Sequence, residues 1–256
     1  MQSICFRQIT KYNHGSEVKK LKNYIGMPRN EIQELTETIL ADFFKGQNRQ
    51  NIEQIDIAYL ARFLKMSIAY ARFAETDMNK LGYLSDGVQS LCVIENGRTV
   101  KKRYGKNTIV LDEYLLRPEN EAKRRYTIGH EIGHYLLALY GYAPAEAAFS
   151  NSFDREREYS YEELRDMMKL NESQANEVGS FLLMPLFLID RYVKEQFVNG
   201  FVPVYGRYMM YRDTKLKIHR IAEKLGVSFG ALRIQLEKLN YLEQHDASEF
   251  IEGVAN

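Results

Sequence analysis

The stretch RRYTIGHEIGHYLLALY, Arg124 to Tyr140, decides how this chain is read. Ile128, Ile132, Leu136 and Leu139 recur at helical spacing, which predicts a long helix after Pro118 running to about Leu139, with Gly141 as its C-terminal cap. On it lies His130-Glu131-Ile132-Gly133-His134, an HExxH sequence. Positions i and i+4 of a helix share one face about 6 Å apart, so two imidazoles can reach one metal ion with Glu131 beside it. Multiplying residue frequencies gives only about 0.01 chance occurrences of this pattern in such a chain. Ile128, Ile132 and Leu136 project away from the histidines, so one side of the helix faces core and the other a cleft. Gly133 costs the helix about 1 kcal/mol relative to alanine, which points to close packing of another segment there.

Zinc in a hydrolytic site usually has three protein ligands and one open position. Downstream, Asn171-Glu172-Ser173-Gln174-Ala175-Asn176 places Glu172 and Asn176 four residues apart. Glu172 is therefore the candidate third ligand, and Asn176 can accept the second ring N–H of a ligating histidine. Ala175 and Gly179 keep that helix face thin.

RRYTIGHEIGHYLLALY followed by NESQANEVGSFLLMP, Asn171 to Pro185, resembles the ImmA/IrrE family of zinc-dependent metallopeptidases. In that family (F/Y)TxxHExGHxLL is followed by ExxANxFxxxLLMP. The resemblance implies zinc ligands His130, His134 and Glu172, with Glu131 as catalytic base and Asn176 supporting a ligand. It also implies an α+β, mostly helical, thermolysin-like (gluzincin) core with a small sheet. The strand Asn107 to Asp112 is then similar to the edge strand along which such enzymes pair an extended substrate. The resemblance follows the order of elements from Ile32 to Tyr241 and is specific in the two blocks quoted. Val178 stands where the family often has Phe-Ala, a change between core residue types, and the 38-residue step from His134 to Glu172 is long.

Outward from these blocks, PRNEIQELTETILADFFKG predicts a helix from Pro28 with Gly46 after its last turn, and a second short helix is expected at Ile55 to Lys65. Ser67 to Phe73, Leu91 to Glu95, Thr99 to Tyr104 and Asn107 to Asp112 read as a small antiparallel sheet, with a type I′ hairpin at Asn96-Gly97. Gly141 to Ser160 reads as a polar connection. A helix capped by Ser160 and Glu163, broken near Asn171, is expected to end at or before Met184-Pro185. The organisation is an N-terminal extension over 1–27, a metallopeptidase domain over 28–200 and a C-terminal helix-turn-helix-like segment over 201–256.

In that last segment Ala222, Gly226 and Leu232 have helix-turn-helix offsets, with Val227-Ser228 as turn and cap. Lys215, Lys217, Arg220, Lys224, Arg233 and Lys238 against Glu223 and Glu237 give a local charge of +4. A structural or protein-recognition use outweighs DNA binding, because 35 basic against 34 acidic side chains leave the chain at only +1. The family resemblance includes such a tail without making it a sequence reader. The basic run Arg98, Lys101, Lys102, Arg103 and Lys106 reads as a solvated hairpin face, or else as a receptor for an acidic substrate segment.

The 256 residues are 45% hydrophobic and 27% charged, enough for a sizeable core in one or two domains. Cys5 and Cys92 are too few for a disulfide framework, which favours a reducing, cytoplasmic setting. The longest apolar run, Phe181 to Ile189, is a core segment interrupted by Pro185, so no membrane span is expected. The expected function is a zinc metallopeptidase, with manganese acceptable to the same ligands, that cuts a protein partner. The resemblance implies that the partner is a helix-turn-helix transcriptional repressor. Two alternatives stand beside it: a DNA-binding regulator with a structural or vestigial metal site, and a noncatalytic protein that sequesters its partner. The second oxyanion donor is unassigned, with His219 and several tyrosines as candidates.

Overall fold

Pro28 lacks an amide hydrogen but its carbonyl accepts from Ile32 N at 3.0 Å, so it opens helix α1 (Arg29–Phe43). Ile32, Leu35, Ile39, Leu40 and Phe43 are buried, the stripe that the periodicity predicts. The Asp56 carboxylate accepts from Tyr59 N at 2.8 Å and caps α2 (Ile57–Phe63). The computed structural model describes residues 26–74, 81–140 and 161–255, and of these the side chains of 161–168 and 252–255 are not described. The expected Gly141 cap, the connection Gly141 to Ser160 and the Ser160/Glu163 capping box lie outside that description.

The strands depart from the expected antiparallel sheet. β1 (Ser67–Ala71), β2 (Gly82–Ser85) and β5 (Thr108–Asp112) form one sheet in the order β1-β5-β2. β1 pairs with β5 in parallel, Ser67 opposite Thr108 and Ala71 opposite Asp112, whereas β2 pairs with β5 antiparallel. β5 is therefore the central strand and not the edge. Its sequence TIVLD is buried on both faces: Ile109 and Leu111 join the main core, while Val110 packs with Ala71, Phe73 and Val93. β1 and β2 are the two edges, and the GYLS sequence of β2 is too short and too rich in small residues to announce itself.

β3 (Ser90–Glu95) and β4 (Arg98–Arg103) form the expected hairpin, with Asn96 and Gly97 at φ of 51° and 75° as a type I′ turn requires. It is fastened to the end of β1 by Ala74 N donating to Cys92 O and Ile94 N to Arg72 O. The three-stranded sheet is thus covered by helices on one face and by this hairpin on the other.

A 3-10 turn at Pro118–Asn120 leads into α3 (Glu121–Leu139), and α4 (Tyr161–Leu183) lies against it. The break expected near Asn171 is absent. Asparagine inside a helix costs well under ~1 kcal/mol, and Asn171 is buried in a helix whose Ala175, Val178, Phe181 and Leu182 pack into the core. α3 and α4 meet backbone to backbone. A Cβ on Gly133 would lie 2.5 Å from Ala175 O, and one on Gly179 would lie 2.9 Å from the carbonyl carbon of Gly129. Gly133 is thus a packing requirement.

Pro185 ends α4 and opens α5 (Leu186–Gln196). Beyond it, β6 (Val202–Tyr205) pairs in parallel with β7 (Leu242–His245), and α8 (Ala247–Ala255) follows; none of these was expected from the sequence. Between the two strands lie α6 (Arg212–Leu225) and α7 (Phe229–Lys238). α6 closes at left-handed Gly226, φ 64°, with Val227 N donating to Ala222 O and Gly226 N to Glu223 O. Ser228 caps α7 by accepting from Ala231 N. The buried Arg125 of α3 reaches this junction: Nε donates to Gly226 O at 3.0 Å, and Nη2 to Ile55 O at 2.8 Å and Leu225 O at 3.3 Å.

Gly133→Ala gains about 1 kcal/mol of helix propensity but forces α3 and α4 apart, an overlap that costs about 1–3 kcal/mol or more for backbone atoms. The expected net result is a melting temperature lower by roughly 3–6 °C. Thermal unfolding followed by circular dichroism checks this, and an unchanged or raised midpoint contradicts the packing role.

Candidate metal centre

The close approach of α3 and α4 brings His130, His134 and Glu172 together. The two imidazoles sit one turn apart on α3 with ring planes at 87° and Nε2 atoms 3.0 Å apart. Glu172 reaches across from α4, Oε2 lying 3.3 Å from His130 Nε2 and Oε1 lying 3.3 Å from His134 Nε2. Two donors bound at 2.0–2.1 Å to a tetrahedral ion stand about 3.3 Å apart, so this donor set fits one divalent cation. Its chemistry, two neutral imidazoles and a carboxylate, fits as well. Among the described residues this is the one group of histidine, cysteine and carboxylate side chains able to hold a metal ion. His130 and then His134 hold the Glu172 carboxyl well below the usual carboxylate range, against the opposing effect of its partial burial.

Asn176, one turn beyond Glu172, has its Oδ1 at 2.9 Å from His130 Nδ1. The same oxygen accepts from the Tyr126 hydroxyl at 3.1 Å. Tyr126 lies one turn before His130, at the (F/Y) position of the family pattern, but the sequence reading gave its hydroxyl no role. Its spacing of four residues ahead of the first histidine was the available signal. Burial pushes its hydroxyl's pKa up, while contact with Ser180 acts the other way.

Glu131 is buried, and its carboxylate lies against the start of β2, since a Cβ added to Gly82 would overlap Glu131 Oε1 and lie 2.6 Å from Thr127 Cγ2. Gly82 is thus a second residue of the site that sequence reading missed, because its role depends on a strand that was not foreseen.

Other candidates lie elsewhere. His219, on α6, is exposed and stacked on Phe229 with ring centroids 4.6 Å apart. Four of the six basic side chains of the C-terminal helix pair are held in ion pairs within the chain: Lys217 with Asp213, Lys224 with Glu195, Arg233 with Glu237 and Lys238 with Glu177. On the hairpin, Lys102 pairs with Glu95 at 2.7 Å. No described helix is long and apolar enough to cross a membrane.

Comparison with known proteins places this geometry in context. Among solved structures, a Mycobacterium tuberculosis transcriptional regulator is similar, at 16% identity over 84% of this chain and 47% of that one with a TM-score of 0.40. The chain spans about half the length of that structure. No functionally curated protein matches it. Residues 92–237, more than half the chain and spanning both helices of the site, match the peptidase M78 family, described as the IrrE N-terminal-like domain. With that match, the chain belongs to the ImmA/IrrE family.

Proposed function

We propose that this protein is a zinc-dependent endopeptidase with a thermolysin-like core that cleaves a protein partner, a helix-turn-helix transcriptional repressor. The observation that carries the reading is the convergence of His130 Nε2, His134 Nε2 and the Glu172 carboxylate, with Glu131 next to His130 on the same helix. His130, His134 and Glu172 hold the metal in this reading, and manganese is the acceptable substitute. A divalent ion held there supplies Lewis-acid chemistry, polarising the scissile carbonyl and acidifying water. Glu131 takes a proton from the attacking water as its oxygen bonds to the carbonyl carbon. It then delivers that proton to the leaving amine as the C–N bond breaks. Burial of Glu131 against Gly82 narrows the positions open to its carboxylate, which supports this role.

Substrate pairing belongs to β2 in place of β5. β2 is an edge strand, begins at the residue that touches Glu131, and has no strand on its outer side among the described residues. An extended peptide added there continues the sheet past the catalytic carboxylate. Residues 28–200 form the peptidase domain in this reading, 1–27 an extension, and 201–256 a helix-turn-helix-like segment, packed into the same core and used for protein recognition in the cytoplasm. Ion pairing of four of its six basic side chains weighs against the DNA-binding alternative, because such residues release few counterions on a duplex.

The test couples metal analysis to cleavage. Glu131→Gln is expected to retain about one divalent ion per chain and lose cleavage of a helix-turn-helix repressor by more than ~1,000-fold. His134→Ala and Glu172→Ala are expected to lose the ion itself. Cleavage by Glu131→Gln at the native rate overturns the mechanism, and a wild-type protein that binds its partner yet leaves it full length supports sequestration instead.

Gly82→Ala tests the strand assignment. Its methyl group must displace Glu131, so cleavage is expected to fall by about 10–100-fold with metal content unchanged. Undiminished cleavage in that variant contradicts the placement of the catalytic carboxylate against β2.

A further inference from the structure

Two columns of side chains, each with a spacing of four, face one another across the α3–α4 contact. Tyr126, His130 and His134 form the column on α3, and Glu172, Asn176 and Ser180 that on α4. Residues four apart share a helix face, so the columns mesh like rungs. Glu172 meets both histidines, and Asn176 meets His130 and Tyr126. Ser180 Oγ also donates to Asn176 O at 2.8 Å, tying the far end of the α4 column to its own helix.

We propose that Tyr126 is a positioning residue for the metal centre, its hydroxyl holding the Asn176 amide so that Oδ1 faces His130 and keeps that imidazole in the Nδ1–H form, with Nε2 turned toward Glu172 and His134. The proposal deepens the metallopeptidase reading and rests on it only for its consequence, not for its geometry.

An asparagine side chain presents either a carbonyl, which accepts, or an NH₂, which donates. If Oδ1 faces His130 and the ring is neutral, as a metal ligand must be, the ring proton sits on Nδ1 and the Nε2 lone pair is free for a cation. If the NH₂ faces His130, Nδ1 must accept, the proton moves to Nε2, and that lone pair is lost. The amide oxygen has two lone pairs, and the two donors that reach it, His130 Nδ1–H at 2.9 Å and Tyr126 O–H at 3.1 Å, fill both. A phenol is a better donor than acceptor, so Tyr126 favours the carbonyl-facing orientation. Removal of its hydroxyl leaves Asn176 with one donor and a weaker preference between its two orientations. The metal is then bound only after His130 has been restored to the competent tautomer, and affinity drops by the competent fraction.

The test uses the isosteric variant Tyr126→Phe in the full chain, with two readouts. In chelator competition, the variant is expected to bind zinc about tenfold more weakly than the wild-type protein, with its melting temperature close to that of the wild type. The second readout needs no metal. In Glu172→Ala protein, which lacks the carboxylate that competes for the His130 Nε2 proton, two-bond ¹H–¹⁵N correlation at a pH where imidazoles are neutral reports the tautomer directly. His130 is expected as Nδ1–H in Glu172→Ala and as a mixture in Glu172→Ala/Tyr126→Phe. A predominant Nε2–H form with Tyr126 present, or the same tautomer ratio with and without its hydroxyl, overturns the proposal. If the wild-type chain takes up no zinc, the metallopeptidase reading fails, while the tautomer comparison still decides the role of Tyr126.

Discussion

The backbone contact between α3 and α4 is the constraint on which the rest of the site depends. Gly129, Gly133, Ala175 and Gly179 contribute almost no side chain at the crossing, so the two helix axes approach until main-chain atoms touch. At the ordinary interaxial distance of about 8–10 Å, a glutamate on one helix reaches a histidine on its neighbour without a fixed pose. Here the reach is short, and Glu172 spans both histidines at once. Small residues thus do the positioning that larger ones would prevent, and their loss of helix propensity is offset by the packing of the buried apolar residues around them, Ile132, Leu136, Val178 and Leu182.

Burial and exposure are divided sharply within this pair of helices. Ile128, Ile132 and Leu136 of α3 enter the main core, while His130, on another face, remains partly open. Glu131 and His134 are buried although they are polar. A buried imidazole is costly unless it has a partner, and α4 supplies Glu172 to His134. The main-chain contact and the polar cluster are therefore two sides of one arrangement: the first fixes the spacing that lets the second be satisfied.

Much of this was legible in the sequence, for identifiable reasons. The HExxH spacing and the Glu172/Asn176 pair are local patterns on strongly periodic helices, where a spacing of four converts directly into a shared face. The unusual mid-helix Gly133 announced a close neighbour. What escaped notice was set by nonlocal pairing. Nothing within TIVLD distinguishes a parallel from an antiparallel neighbour, and its continuous apolar character, the mark of a central strand, was outweighed by its position just before the helix that carries both histidines. β2 is four residues long, and β6 and β7 find one another across the intervening α6 and α7. Tyr126 was hidden differently: an aromatic residue at helical spacing ordinarily packs in a core, and only the position of Asn176 on another helix gives its hydroxyl a purpose.

The guanidinium of Arg125 is buried against backbone carbonyls, two of which, from Leu225 and Gly226, belong to the end of α6. The negative end of that helix dipole takes the place that a carboxylate usually fills around a buried cation. A chain ending near residue 200 would keep Arg125 and the Ile55 carbonyl but lose the other two acceptors, and would uncover the core that Ile218, Ile221 and Leu225 help to bury. Those C-terminal helices consequently serve as internal solvent for the helix that carries both histidines. They complete the core in which that helix is packed.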